Sequence, residues 1–225
     1  MYTQKSFLVI SFILSSFFLQ AASAELKLPA EAMQVATTPA DKLGTNENGL
    51  GLKAGASVPD FTSHSYDGKT VTLAKLLKSG PLLVIFYRGG WCPFCNYQVR
   101  QITQAYAQFQ QRHVMPVLIS VDQAEAAALV QQSYDIPFPV LSDPELAAHE
   151  AFNAVIELDD AHVEKYKGYG IDLEAWSGQK HHKIAAPAVV LVGKDGKVLW
   201  SHVALDFKTR PDVDQMLGVI DAKLN

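Results

Sequence analysis

Two unbroken apolar runs of strand length mark the chain, Leu82–Tyr87 and Ala188–Val192. A run with no polar alternation suits a strand covered on both faces of a sheet. Val114–Val121 reads as a third strand and Phe138–Leu141 as a short fourth. Elsewhere the period changes. Cys95, Val99, Ile102, Tyr106 and Phe109 recur four and three residues apart, which places them on one face of a helix from Asn96 to about Arg112. Arg112 and His113 put favourable charge at its carbonyl end. Asp122 with Glu125 three residues on resembles a capping box, opening a helix that runs to about Ser133. Pro144–Phe152 reads as another helix, and Pro211–Leu224 as a closing one with Val213, Met216, Leu217 and Ile220 on one side.

Before the first long run, Val58–Thr62 is extended, because the residue before a proline is pushed from the helical region. Asp67-Gly68 suits a tight turn into a second strand, Lys69–Leu73, so these form a hairpin. A short helix from Leu73 to Lys78 is stopped by Gly80-Pro81. Lys194–Lys197 is a second turn, joining Ala188–Val192 to Val198–Val203. Residues 153–183 follow neither period and read as a long, partly helical insertion carrying Trp176 and His181-His182. Insertions of that length are commonly functional. Strands joined by crossover helices give an α/β fold, a central mixed β-sheet flanked by helices, with an N-terminal β-hairpin addition.

The N-terminus has its own pattern. Lys5 precedes the apolar stretch Phe7–Leu19, and Ala22-Ser23-Ala24 is a small-x-small cleavage site. Residues 1–24 therefore read as a secretory signal peptide, and the protein as exported, periplasmic or secreted. The alternative is an uncleaved membrane anchor, since Ser6–Ala24 carries no charge, although a span needs ~20 predominantly apolar residues. Residues 25–54 have loop composition and read as a mobile arm and linker, with a short helix possible near Pro29–Val35. Residues 55–225 form the domain.

With 225 residues, 48% of them hydrophobic and 19% charged, the chain has the make-up of an ordinary globular protein. A net charge of −4 gives no reason to expect a nucleic-acid partner. The two cysteines are Cys92 and Cys95, in Gly89-Gly90-Trp91-Cys92-Pro93-Phe94-Cys95. This stretch lies between the first apolar run and the amphipathic helix, with Pro93 at a first helical position, where its missing N–H costs nothing. In an oxidising compartment a structural disulfide is the alternative, but a bridge closing so short a loop removes little unfolded-state entropy. Two thiolates without further ligands make no zinc site, and no cofactor is implied. The reading is a working dithiol. A helix N-terminus favours a thiolate, so Cys92 is expected to have a pKa lowered into the ~3.5–7.5 range of such sites. Cys95, further into the helix, is then placed to attack a sulfenic acid or mixed disulfide on Cys92, leaving a Cys92–Cys95 disulfide. Pro187, just before the second apolar run, is expected to form a cis bond and to pack against the dithiol. Arg88 and Arg210 are candidates to supply positive charge to the thiolate, and Trp91 and Tyr87 to line a substrate surface.

The Trp91–Cys95 stretch on its strand–helix junction resembles the thioredoxin superfamily. Gly55-x-x-Val58-Pro59-Asp60-Phe61, Asp67-Gly68-Lys69, Phe86-Tyr87-Arg88-Gly89, Pro187 with Val189–Val192, and His202-Val203 are similar to the alkyl hydroperoxide reductase/thiol-specific antioxidant family, the peroxiredoxin-like proteins. The resemblance implies a thioredoxin-like fold, an antioxidant peroxidase with its peroxidatic cysteine at Cys92, a hydroperoxide substrate and a thioredoxin-like electron donor. Such proteins have a proline seven residues before the reactive cysteine and a threonine three before; counted from Cys92, these positions hold Ile85 and Gly89. Trp91-Cys92-x-x-Cys95 leans instead towards exchange with a protein disulfide. A non-enzymatic redox module is the third reading, and the intact dithiol speaks against it. The extent of the resemblance favours the peroxidase.

Overall fold

The computed structural model describes residues 26–224, so the expected signal peptide at 1–24 lies outside the described residues. In chain order the elements are β1 (Ala36–Thr37), β2 (Thr62–Ser65), β3 (Thr70–Thr72), α1 (Leu73–Leu77), β4 (Leu82–Phe86), α2 (Pro93–Gln104), α3 (Tyr106–Gln111), β5 (Met115–Ser120), α4 (Ala124–Ser133), β6 (Val140–Ser142), α5 (Ala147–Ala151), β7 (Val155–Glu157), α6 (Asp160–Gly168), α7 (Leu173–Ser177), β8 (Lys183–Ala185), β9 (Ala188–Val192), β10 (Val198–Val203), β11 (Thr209–Arg210) and α8 (Val213–Leu224). Seven strands form the central sheet in the order β10-β9-β4-β5-β6-β2-β3. β4 runs parallel to β5, and β5 to β6, while β9 and β10 are antiparallel additions on one side. The hairpin of β2 and β3 extends the far edge through β6, as the sequence pattern predicts.

The continuous apolar runs have a simple cause. Alternate residues along β4 and into Tyr87 just past it enter different cores, with Leu83, Ile85 and Tyr87 in one and Leu82, Val84 and Phe86 in the other. The first core is closed by Val99 and Ile102 of α2, Val130 of α4 and Met216, Leu217 and Ile220 of α8. The second is closed by Leu73 and Leu76 of α1, Ala148 of α5 and Phe152. With both faces covered, neither set of positions can be polar. Because β4 and β5 are parallel, their C-terminal ends lie side by side, Phe86 opposite Ile119. The Cys92–Cys95 segment leaves one end and Asp122 leaves the other. This adjacency brings the site together.

Several elements differ from expectation. The long helix starts at Pro93 as predicted, with Cys92 in extended conformation as its N-cap, but divides at Ala105 into α2 and α3. Asp122 does not cap α4; Gln123 occupies that position, and the Asp122 carboxylate turns inward. The Ala186–Pro187 bond is trans, which corrects the cis expectation. Pro187 continues an extended path from β8 into β9, with Ala186 N–H donating to Ala154 O and Ala204 N–H to Pro187 O, and a trans bond satisfies that path. The insertion is a two-stranded ribbon of β7 and β8, with α6 and α7 between its strands. Residues 26–38 form no helix and lie along the domain. Leu26 and Leu28 pack on the first core, Ala32 N–H donates to Pro93 O, and β1 pairs parallel with β11.

Phe86, fully buried, packs on His149 and Phe152 with ring centroids 5.1 and 5.2 Å away. Replacing it by alanine leaves a cavity at the root of the active strand. Phe86→Ala is expected to lose ~3–5 kcal/mol of stability in urea unfolding, whereas the exposed Lys53→Ala should change it by under about 0.5 kcal/mol.

Candidate active site

The turn between β4 and α2 is made by close approach. Gly89 sits at φ +143°, and a Cβ there would meet Asp122 Oδ1 at 2.7 Å. A Cβ on Gly90 would come within 2.7 Å of Val130 and 2.8 Å of Trp176. Only glycine permits this approach at both positions. Asn96, fully buried, ties the turn to the helix by donating to Gly90 O at 2.8 Å, and Gly90 N–H donates to Asp122 Oδ2 at 2.8 Å.

The turn delivers two free thiols into a dry environment. Cys92 is 1% exposed and Cys95 is 0%. Arg210 crosses from the far end of the chain, and its Nη2 donates to Cys95 Sγ at 3.2 Å. β11 holds it there by pairing with β1, and Thr38 N–H donates to Arg210 O at 2.8 Å. Burial by itself pushes the Cys95 thiol up. A hydrogen bond from Cys92 and the charges of Arg210 and Arg88 outweigh burial and bring its pKa down to about 6. The Cys92 thiol goes the other way. Burial, its hydrogen bond to Cys95 and the Cys95 charge push it well above the usual thiol value. The two thiols are thus shifted in opposite directions, Cys95 down and Cys92 up, whereas the helix start alone favours a thiolate at Cys92. The helix end acts on both sulfurs; the guanidinium contact is made with one.

A second arginine closes the site from outside. The Arg88 guanidinium lies 4.1 Å from the Phe207 ring centroid, 4.7 Å from Trp91 and 5.3 Å from Tyr166, and it also donates to the Tyr166 hydroxyl. Trp91 meets Tyr166 edge to face at 5.3 Å, and Phe94 meets Phe207 at 5.4 Å. The cage covers the dithiol. Beyond it lies a pocket of ≈ 570 Å³ walled by Arg88, Tyr166, Tyr169, Pro187, Phe207 and Lys208.

Cys92, Cys95, Trp91, Arg88 and Arg210 thus come together, and Pro187 stands on the wall of the adjoining pocket. Trp176 packs at Gly90, but His181 and His182 are engaged elsewhere, at Pro144 O and the Glu174 carboxylate. Tyr166 and Phe207 had no signal in the sequence beyond being aromatic residues in irregular stretches. Asp122 had a misleading one. Among the described residues no three His, Cys, Asp or Glu side chains gather as metal ligands, and no helix is long and apolar enough to cross a membrane.

With this geometry in hand, comparison with known proteins gives consistent results. A model of the AhpC/TSA family matches residues 54–201. Peroxiredoxin Q, chloroplastic, of Triticum aestivum is 32% identical over 124 residues, covering 55% of this chain and 57% of that one. The thiol-disulfide oxidoreductase ResA of Bacillus cereus is 28% identical over 94 residues, covering 41% and 53%. The chain spans about half the length of these curated relatives. The crystal structure of peroxidoxin BcpB from Mycobacterium tuberculosis superimposes with a TM-score of 0.59 at 19% identity, covering 77% of this chain and 97% of that one. This likeness shows the fold, the thioredoxin-like arrangement that the sequence resembles.

Two substitutions check the electrostatics and the cover. Arg210→Gln removes a cation that favours the thiolate, so the Cys95 alkylation midpoint should rise from about 6. The pH profile of iodoacetamide labelling, read by mass spectrometry, measures it. Tyr166→Ala should open the cage and speed labelling of both cysteines several-fold at a fixed pH.

Proposed function

This chain belongs to the AhpC/TSA family, and from that premise we propose that it is a thiol peroxidase whose reacting group is the Cys95 thiolate. The observation that carries the assignment is the 3.2 Å contact from Arg210 Nη2 to a fully buried Cys95 sulfur. A charge-assisted contact of this kind stabilises the anion that must attack. The thiolate takes the terminal oxygen of a hydroperoxide, giving Cys95 sulfenic acid and an alkoxide that is protonated to the alcohol. The Cys92 thiol then attacks the sulfenic sulfur. Water leaves, and a Cys92–Cys95 disulfide remains. A thioredoxin-like dithiol donor returns two electrons and regenerates the pair.

This assignment also accounts for the missing threonine. Counted from Cys95, the position three residues earlier is Cys92 itself, and the position seven earlier is Arg88. Where the family's hydroxyl stands, this chain has the Cys92 thiol, whose nearness lowers the pKa of the reacting sulfur. The same side chain is one helical turn away and ready to resolve the sulfenic acid.

The second reading, exchange with a protein disulfide, is favoured by Trp91-Cys92-x-x-Cys95 and by the match to ResA. Exchange requires a protein sulfur to approach in line through the Arg88 cage, whereas a hydroperoxide needs a far smaller opening. The burial of both sulfurs therefore supports the peroxidase. The leader-like pattern of residues 1–24 supports action outside the cytoplasm, and N-terminal sequencing of the mature chain tests that placement.

Stopped-flow mixing of the reduced protein with hydrogen peroxide is the test of function. Fast oxidation should survive in Cys92→Ser, which accumulates sulfenic acid that dimedone traps, and should vanish in Cys95→Ser. Oxidation of the wild type no faster than that of free cysteine thiolate would remove the peroxidase reading.

A further inference from the structure

Two buried acids are left unused by this chemistry, and of these Asp143 is engaged by the backbone N–H groups of Ala148 and His149 and by the His149 ring, which leaves Asp122. Asp122 is 0% exposed, and its Oδ2 accepts from Gly90 N–H at 2.8 Å and from Ser120 Oγ at 2.9 Å. Those bonds suffice to hold the turn. Oδ1 is buried with no partner, and so is the hydroxyl of Tyr87, which is also fully buried. The Tyr87 hydroxyl feels the charges of both Asp122 and Cys95 and lies beside Ser120. Unpartnered polar atoms in a dry core are costly, and a native structure retains them where they serve a purpose.

We infer that Asp122 is the proton store of the dithiol: it holds a proton while Cys95 is a thiolate and yields it, by way of the Tyr87 hydroxyl, when Cys95 is oxidised. The inference rests on the peroxidase reading for the identity of the oxidant. The proton count requires such a group. Thiolate plus hydroperoxide gives sulfenic acid plus alkoxide, and the alkoxide needs one proton in a site from which water is excluded. Protonated Asp122 supplies it. The site then carries one negative charge before the step, on sulfur, and one after it, on the carboxylate. Condensation of Cys92 with the sulfenic acid releases water and leaves the charge unchanged. Reduction of the disulfide restores the thiolate and reprotonates Asp122. The two buried arginines face a constant charge throughout.

The surroundings of Asp122 fit this role. Burial raises its carboxyl pKa to about 7, against the hydrogen bonds from Gly90 and Ser120, and the Cys95 charge adds to the rise. The titratable groups facing it are Tyr87, just past β4, and Cys95 from α2; Ser120 from β5 and the Gly90 N–H from the turn are its neutral neighbours. Arg88 and Arg210 act on the sulfur. A protonated Oδ1 can donate to the Tyr87 oxygen, and an ionised one can accept from it, so either state gives both orphaned atoms a partner after a small movement of the hydroxyl. With the Cys95 thiol lowered to about 6 and the Asp122 carboxyl raised to about 7, the two groups hold one proton, on the acid, in the interval between.

The test has two arms. In weak buffer within that interval, oxidation of the reduced wild type by hydrogen peroxide should take almost no proton from solvent, read with an indicator dye. Asp122→Asn should take one proton for each peroxide consumed. Equal uptake by the two proteins overturns the inference. The second arm uses the wild type, so it stands if the variant fails to fold. The infrared difference between dithiothreitol-reduced and diamide-oxidised protein should show the carbonyl band of a protonated carboxyl only in the reduced form. Its absence from the reduced form overturns the inference. Diamide forms the disulfide without peroxide, so a protein inert to hydrogen peroxide fails the peroxidase reading while this arm still reports on Asp122.

Discussion

A buried sulfur held by a guanidinium from the other end of the chain is the constraint on which the rest depends. A lone anion in a site this dry would be protonated. Arg210 makes the charge tenable, and a chain of supports makes Arg210 tenable in turn: β11 positions it, β1 pairs with β11, and Thr38 bonds its carbonyl. The segment that composition marks as an arm is thus part of the electrostatic framework of the dithiol. Deleting one partner from such a buried pair strands the other and costs ~3–5 kcal/mol.

The parallel pairing of β4 with β5 is the second constraint. It sets two strand ends side by side, one carrying the dithiol and the other Asp122. Gly89 and Gly90 let the turn close against Asp122 and Trp176 without a side chain between. The insertion between β7 and β8 supplies Tyr166 to the aromatic cluster around Arg88 and Trp91.

Much of this was legible beforehand. The apolar run Leu82–Tyr87, the helix start at Cys92-Pro93 and the hairpin around Asp67-Gly68 are local patterns, and local patterns report backbone periods faithfully. Asp122 shows where such reading fails. Its spacing to Glu125 is that of a helix cap, but the strand end faces a glycine turn whose N–H needs an acceptor, and the carboxylate goes there. Pro187 is a similar case, since the extended path it continues is satisfied by a trans bond.

The sequence by itself determined the strands, the helix that begins at the dithiol, and the family resemblance, because each is written in residues a few positions apart. Tertiary structure decided which sulfur a guanidinium meets, what packs around Arg88, and where the buried carboxylate beside the turn points. Those outcomes rest on contacts between residues 115, 78 and 32 positions apart: Arg210 with Cys95, Arg88 with Tyr166, and Gly90 with Asp122. Energies of buried charges depend on which groups share the dry volume, and only the folded chain selects them.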